Sequence, residues 1–85
     1  MTVPEAVEVA KSRLIEVMPE LSRDTLRLEQ VETPPQSSRW KFTFSAILPP
    51  PSENNVLELI RGRRLSKSVE IETGDGSLIA IRNAA

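Results

Sequence analysis

The strongest pattern in the chain is an apolar stripe at its start. Val3, Ala6, Val7, Ala10, Leu14, Val17, Met18 and Leu21 recur at steps of three and four, while Glu5, Glu8, Lys11, Ser12, Arg13 and Glu16 mostly fall off the stripe. That is the period of a helix with one buried face. Thr2 and Glu5 stand three apart in the form of a capping box. Pro4 falls in the first turn, where the N–H it lacks would have had no partner. Pro19 predicts the stop, because proline disfavours helical geometry in the residue before it.

The period then changes to two. Residues 25–32 begin by alternating, with Leu26 and Leu28 on one side, and slip parity at Val31, which predicts a bulge or a twisted strand end. Residues 33–38, Thr-Pro-Pro-Gln-Ser-Ser, read as a connector. Next comes the clearest strand. Trp40, Phe42, Phe44, Ala46 and Leu48 fall on one face, and Arg39, Lys41, Thr43 and Ser45 on the other, as in a sheet with one wet side. All three aromatic residues sit on that one face, which predicts the centre of the core. Pro49-Pro50-Pro51 ends the strand.

Two readings fit residues 53–61. Ser52-Glu53-Asn54-Asn55 can cap a short helix through Val56, Leu57, Leu59 and Ile60, closed by Gly62; an irregular strand fits the same residues. Residues 68–72 and 77–82 flank Thr73-Gly74-Asp75-Gly76, a hairpin signal with glycines where positive φ is needed. The expected fold is α+β and a single domain over residues 1–85. An N-terminal amphipathic helix packs on one face of an antiparallel sheet of about four strands, burying its stripe on Trp40, Phe42 and Phe44, with or without a short second helix before the third strand.

Composition narrows the function more than it defines it. The chain has 85 residues, 39% of them hydrophobic and 27% charged, with 11 Lys plus Arg against 12 Asp plus Glu. A formal charge of -1 lacks the basic excess usual in a dedicated nucleic-acid-binding domain. At this size, area burial at roughly 25 cal/mol per Å² nearly cancels an ordering cost of roughly 1.5 kcal/mol per residue, which makes room for weak self-association. The first residues carry no basic region or signal-length apolar run, and no stretch approaches the ~20 apolar residues of a membrane helix. A cytoplasmic protein away from membranes is the expectation.

The C-terminal half resembles the PepSY-type domain, a small helix-plus-sheet module. The resemblance rests on Val69-Glu70-Ile71-Glu72-Thr73-Gly74, an alternating strand running into a Thr-Gly turn, and on the short final strand Leu78-Ile79-Ala80-Ile81. The leading helix and the Trp40 strand suit the same layout. The chain departs from that pattern in its Leu65-Ser66 region and in a longer turn with a second glycine, Gly76. The resemblance implies a non-catalytic module that binds or restrains a protein partner, as such domains do in peptidase propeptides.

With no His and no Cys, Ser-His and Cys-His nucleophilic schemes and the common zinc sites have no residues to work with. There is no Tyr to serve as an acid or base. Glu70 and Glu72 both project from the solvent side of their strand, and Gly74-Asp75-Gly76 is too short for a phosphate or calcium loop. The expectation is therefore a non-enzyme without catalytic residues, metal or cofactor. The candidate partner-binding residues are Leu57, Leu59, Arg61, Arg63, Arg64 and Lys67. The four basic ones form a docking patch or a solvated connector paired with Glu58, Glu70 or Glu72; the apolar ones close the core or form an interface. The expected partner is another protein, with a nucleic acid or other anion as the alternative, and the chain itself is a monomer or weak homodimer.

Overall fold

A computed structural model describes residues 1–48 and 63–84, with the backbone alone for Leu48 and Arg63. Helix α1 spans Val3–Val17 and opens as its sequence dictates. The Glu5 amide donates to the Thr2 hydroxyl at 3.3 Å, and the Thr2 amide donates to the Glu5 carboxylate at 3.1 Å, so two N–H groups that the helix itself leaves unpaired find acceptors. The helix ends two residues before Pro19. A single turn of 3-10 helix, η1, follows at Arg23–Thr25. Arg23 fastens that turn to α1, donating to the Glu8 carboxylate at 2.7 Å and to the Ser12 hydroxyl.

Four strands follow in simple meander order: β1 Arg27–Glu32, β2 Arg39–Leu48, β3 Arg63–Glu72 and β4 Leu78–Asn83. Every neighbouring pair is antiparallel. The predicted parity slip is a bulge in β1: Leu28 pairs with Phe44 and Gln30 with Thr43, leaving Glu29 as the extra residue. A second bulge interrupts β4, where Ala80 pairs with Glu70 and Leu78 with Ile71. Both edge strands are thus broken as flat templates for adding another strand.

The helix covers one face of this sheet, as expected. Phe42, Phe44, Val69 and Ile71 are buried against Ala6, Ala10 and Leu14, with Leu21, Leu26 and Ala46 closing the core. The alanines on α1 allow the close approach. Three features differ from the sequence reading. Val17, placed on the apolar stripe, is exposed at the C-terminal end of α1, whereas Val9 and Ile15 pack against the core. The helix lies mainly over β3 and β4 rather than over β2. Trp40, at the beginning of β2, is therefore only half-buried, and Leu28 and Val31 on edge strand β1 remain exposed. Finally, β3 begins at Arg63, not at residue 68, because β2 is ten residues long and its ladder offers partners all the way back to Arg63, opposite Leu48.

The β3–β4 turn is where helix and sheet lock together. Gly76 has φ +72°, and a Cβ there would lie 3.2 Å from the Val9 side chain. Arg13 donates from Nε to the Gly76 carbonyl at 3.1 Å. Gly76 is the only positive-φ residue among those described, so of the two turn glycines only one needs the left-handed conformation. The Asp75 carboxylate closes the turn by accepting from the Ser77 amide at 2.9 Å.

Candidate functional site

Among the described residues, no helix lies over the other face of the sheet. Strand alternation and register lay its side chains out in rows across the strands. Arg39 stands opposite Glu72. Glu32, Lys41, Glu70 and Ala80 form the next row. Gln30, Thr43, Ser68 and Arg82 follow, then Arg27, Ser45 and Ser66, and finally Ile47 with Arg64.

Charge is distributed unevenly along these rows. At the Arg39 end, cations and carboxylates alternate from strand to strand, and Lys41 pairs with Glu32 at 3.0 Å. Arg82 reaches Glu70 at 3.6 Å. Such cross-strand pairs neutralise one another locally. The middle of the face is built of small hydroxyl residues, and Ser45 and Ser68 are buried there beneath longer neighbours. The Ser45 hydroxyl donates to the carboxylate of the bulged residue Glu29 at 2.6 Å. Towards the far end Arg27 flanks Ser45 and Ser66, and the last row holds Ile47 and Arg64.

That end also has a distinct shape. Strands β2 and β3 continue as a two-stranded ribbon through Ala46–Leu65, Ile47–Arg64 and Leu48–Arg63, past the first paired residue of β1 and the last of β4. Where β1 stops, a depression of about 190 Å³ opens, lined by Thr25, Arg27, Ser45, Ala46, Ile47 and Arg64. A second depression of about 160 Å³ lies at the opposite end among Glu32, Pro34, Arg39, Lys41 and Glu70, where the charges are mixed.

The structure separates the sequence-predicted basic cluster. Arg64 belongs to the bare face, opposite Ile47. Lys67 lies opposite Phe44, on the helix side, where its ammonium donates to the Asn83 side chain. One strand cannot send residues three apart to the same side, so these two do not form one patch. Of the others, Arg63 begins β3 opposite Leu48, and Leu57, Leu59 and Arg61 lie outside the described residues, as does the segment 53–61 with its two secondary-structure readings. Sequence reasoning passed over Arg27 and Ile47. The signal for Ile47 was available: it is an isoleucine on the polar parity of an otherwise alternating strand.

Among the described residues, no three acidic side chains stand close enough to hold a metal ion, and no helix is long and apolar enough to cross a membrane. Glu5 and Asp75 are held below the ordinary carboxylate range, Glu5 by the Thr2 backbone N–H and hydroxyl, Asp75 by the Ser77 backbone N–H and then its hydroxyl. Both are exposed structural acceptors, at a helix cap and a turn. By architecture the described residues form a one-helix, four-stranded α+β meander. No protein-family model, curated protein or solved structure matches it.

Proposed function

We propose that this chain is a non-catalytic, PepSY-like interaction module that binds a protein partner through its sheet surface and the 57–67 segment. One observation supports this reading above the rest: among the described residues a ten-residue central strand, β2, is roofed on one side only, leaving a broad polar sheet surface with an exposed isoleucine at one end. An antiparallel sheet with one wet face is stable in water without a cover, so the surface can exist free and still accept a partner. The residue inventory, with neither His nor Cys, fits binding better than chemistry.

The alternative, a nucleic-acid or anion binder using Arg61, Arg63, Arg64 and Lys67, draws less support, because Arg64 and Lys67 occupy opposite sides of β3. The two readings separate in one experiment. A photo-crosslinking residue is placed at Thr43 on the bare face or at Glu16 on α1, and each variant is exposed to lysate. A discrete protein adduct from position 43 and none from position 16 is the expected result. Nucleic acid recovered without protein from either position would refute the module.

A further inference from the structure

We infer that the arm end of the bare face, where β2 and β3 run on as a two-stranded ribbon, is a docking site for an acidic, partly apolar peptide segment, seated between Arg27 and Arg64 with Ile47 beside them. The inference deepens the interaction-module reading and rests on it. Three observations carry it.

The first is convergence. Arg27 and Arg64 come from different strands, with β2 between them, yet both line the same depression of about 190 Å³. Two strand spacings across the sheet and two residues along β2 separate their backbones by about 12 Å, a gap that two arginine side chains reaching inward can close around one carboxylate. The second is the charge gradient along the face. At the opposite end Lys41 and Arg82 pair with Glu32 and Glu70, and Arg39 stands in register with Glu72, so three carboxylates offset three cations; at the arm end, among the described residues, neither Arg27 nor Arg64 forms an ion pair. An acidic ligand is therefore drawn to the arm end and repelled by Glu32, Glu70 and Glu72 at the other. The third is Ile47, which at 65% exposure is the most exposed large apolar side chain among those described. Guanidinium groups beside a bare aliphatic side chain fit a segment in which carboxylates alternate with aliphatic residues. A free inorganic anion would use the arginines and gain nothing from Ile47.

Glu29 limits the geometry. Its carboxylate is held by the Ser45 hydroxyl at the inner margin of the depression, so the incoming carboxylate seats on the outer side, toward Arg64. Neutralising Glu29 should consequently strengthen binding.

The test is an NMR titration of the intact chain with a synthetic (Glu-Leu)6 peptide, its (Gln-Leu)6 counterpart, inorganic phosphate and a single-stranded oligonucleotide. The acidic peptide is expected to shift the Arg27, Ile47 and Arg64 resonances, and the glutamine peptide to leave them in place. Arg27→Ala or Arg64→Ala should each weaken binding roughly threefold, and the double variant about tenfold, as expected for exposed ion pairs. Glu29→Gln should tighten it. All three substituted positions are exposed, and the dispersion of the core methyl signals checks that each variant is folded. Equal shifts with both peptides, or shifts with phosphate or oligonucleotide alone, overturn the site. Shifts confined to Arg39, Lys41 and Arg82 overturn this site but leave the interaction module standing. A bare face that responds to no peptide, in a chain that also gives no protein adduct from position 43, removes both.

Discussion

The two sides of β2 are made from the same ten residues and have opposite fates. On one side Phe42, Phe44 and Ala46 are buried in the core with Ala6, Ala10 and Leu14 of α1 and with Leu21 and Leu26; on the other Lys41, Thr43, Ser45 and Ile47 form a surface. The contrast shows that the described residues build one core, on the aromatic side of the sheet. The buried side supplies stability, and the bare side is free to vary its charge and shape, so binding properties are expected on the second and folding energetics on the first.

The largest expected effect breaks the contrast from the buried side. Phe42→Ala or Phe44→Ala should cost about 3–5 kcal/mol by removing a fully buried ring and leaving a cavity. Against a total of about 5–15 kcal/mol this is enough to unfold much of the population. Thr43→Ala, between them on the other face, should stay within about 0.5 kcal/mol. Urea unfolding of the three variants measures the asymmetry; comparable losses from Thr43 and Phe42 would mean that the bare face is covered in solution.

The next effect concerns the joint between helix and turn. Gly76→Ala should cost about 1–3 kcal/mol, since the new Cβ must occupy a left-handed conformation and crowd Val9. Adding Val9→Ala should relieve only the crowding. Gly74→Ala, at ordinary φ with its nearest prospective neighbour 3.9 Å away on the Glu72 side chain, should be close to neutral in the same thermal melts. Arg13→Met keeps the aliphatic stem but loses the hydrogen bond to the Gly76 carbonyl, for an expected cost of about 0.5–1.5 kcal/mol by urea unfolding.

The smallest effects lie at the exposed caps. Thr2→Ala should lower stability by about 1 kcal/mol, the ordinary cost of losing an N-cap. Glu5 and Asp75 titrate below the usual carboxylate range in the folded chain, so each contributes stability at pH values above its unfolded pKa. That contribution is lost as the pH falls through the lowered folded values. Glu5→Gln and Asp75→Asn should therefore each flatten the acid limb of a stability-versus-pH curve and leave its neutral region nearly parallel to that of the parent.

Much of the architecture was legible residue by residue. Thr2, Glu5 and Pro19 marked the start and stop of α1 because caps and prolines act within a few residues of themselves. The parity slip at Val31 announced the bulge at Glu29, and the alternation from Arg39 to Leu48 gave β2 its boundaries. The start of β3 was not legible: residues 63–67 carry too many charges to look like a strand, and only the ladder offered by β2 makes them one.

The candidate site was legible only in part. Arg64 stood out as one of a run of basic residues, but a run along the chain says nothing about which side of a strand each member takes. Local sequence fixes periodicity and turn chemistry, and from these followed one helix, an antiparallel sheet and a core on the aromatic face of β2. Strand register and helix placement depend on contacts between residues distant in the chain. Those contacts alone decided that α1 lies over β3 and β4, that Arg13 meets Gly76, and that Arg27 shares a depression with Arg64.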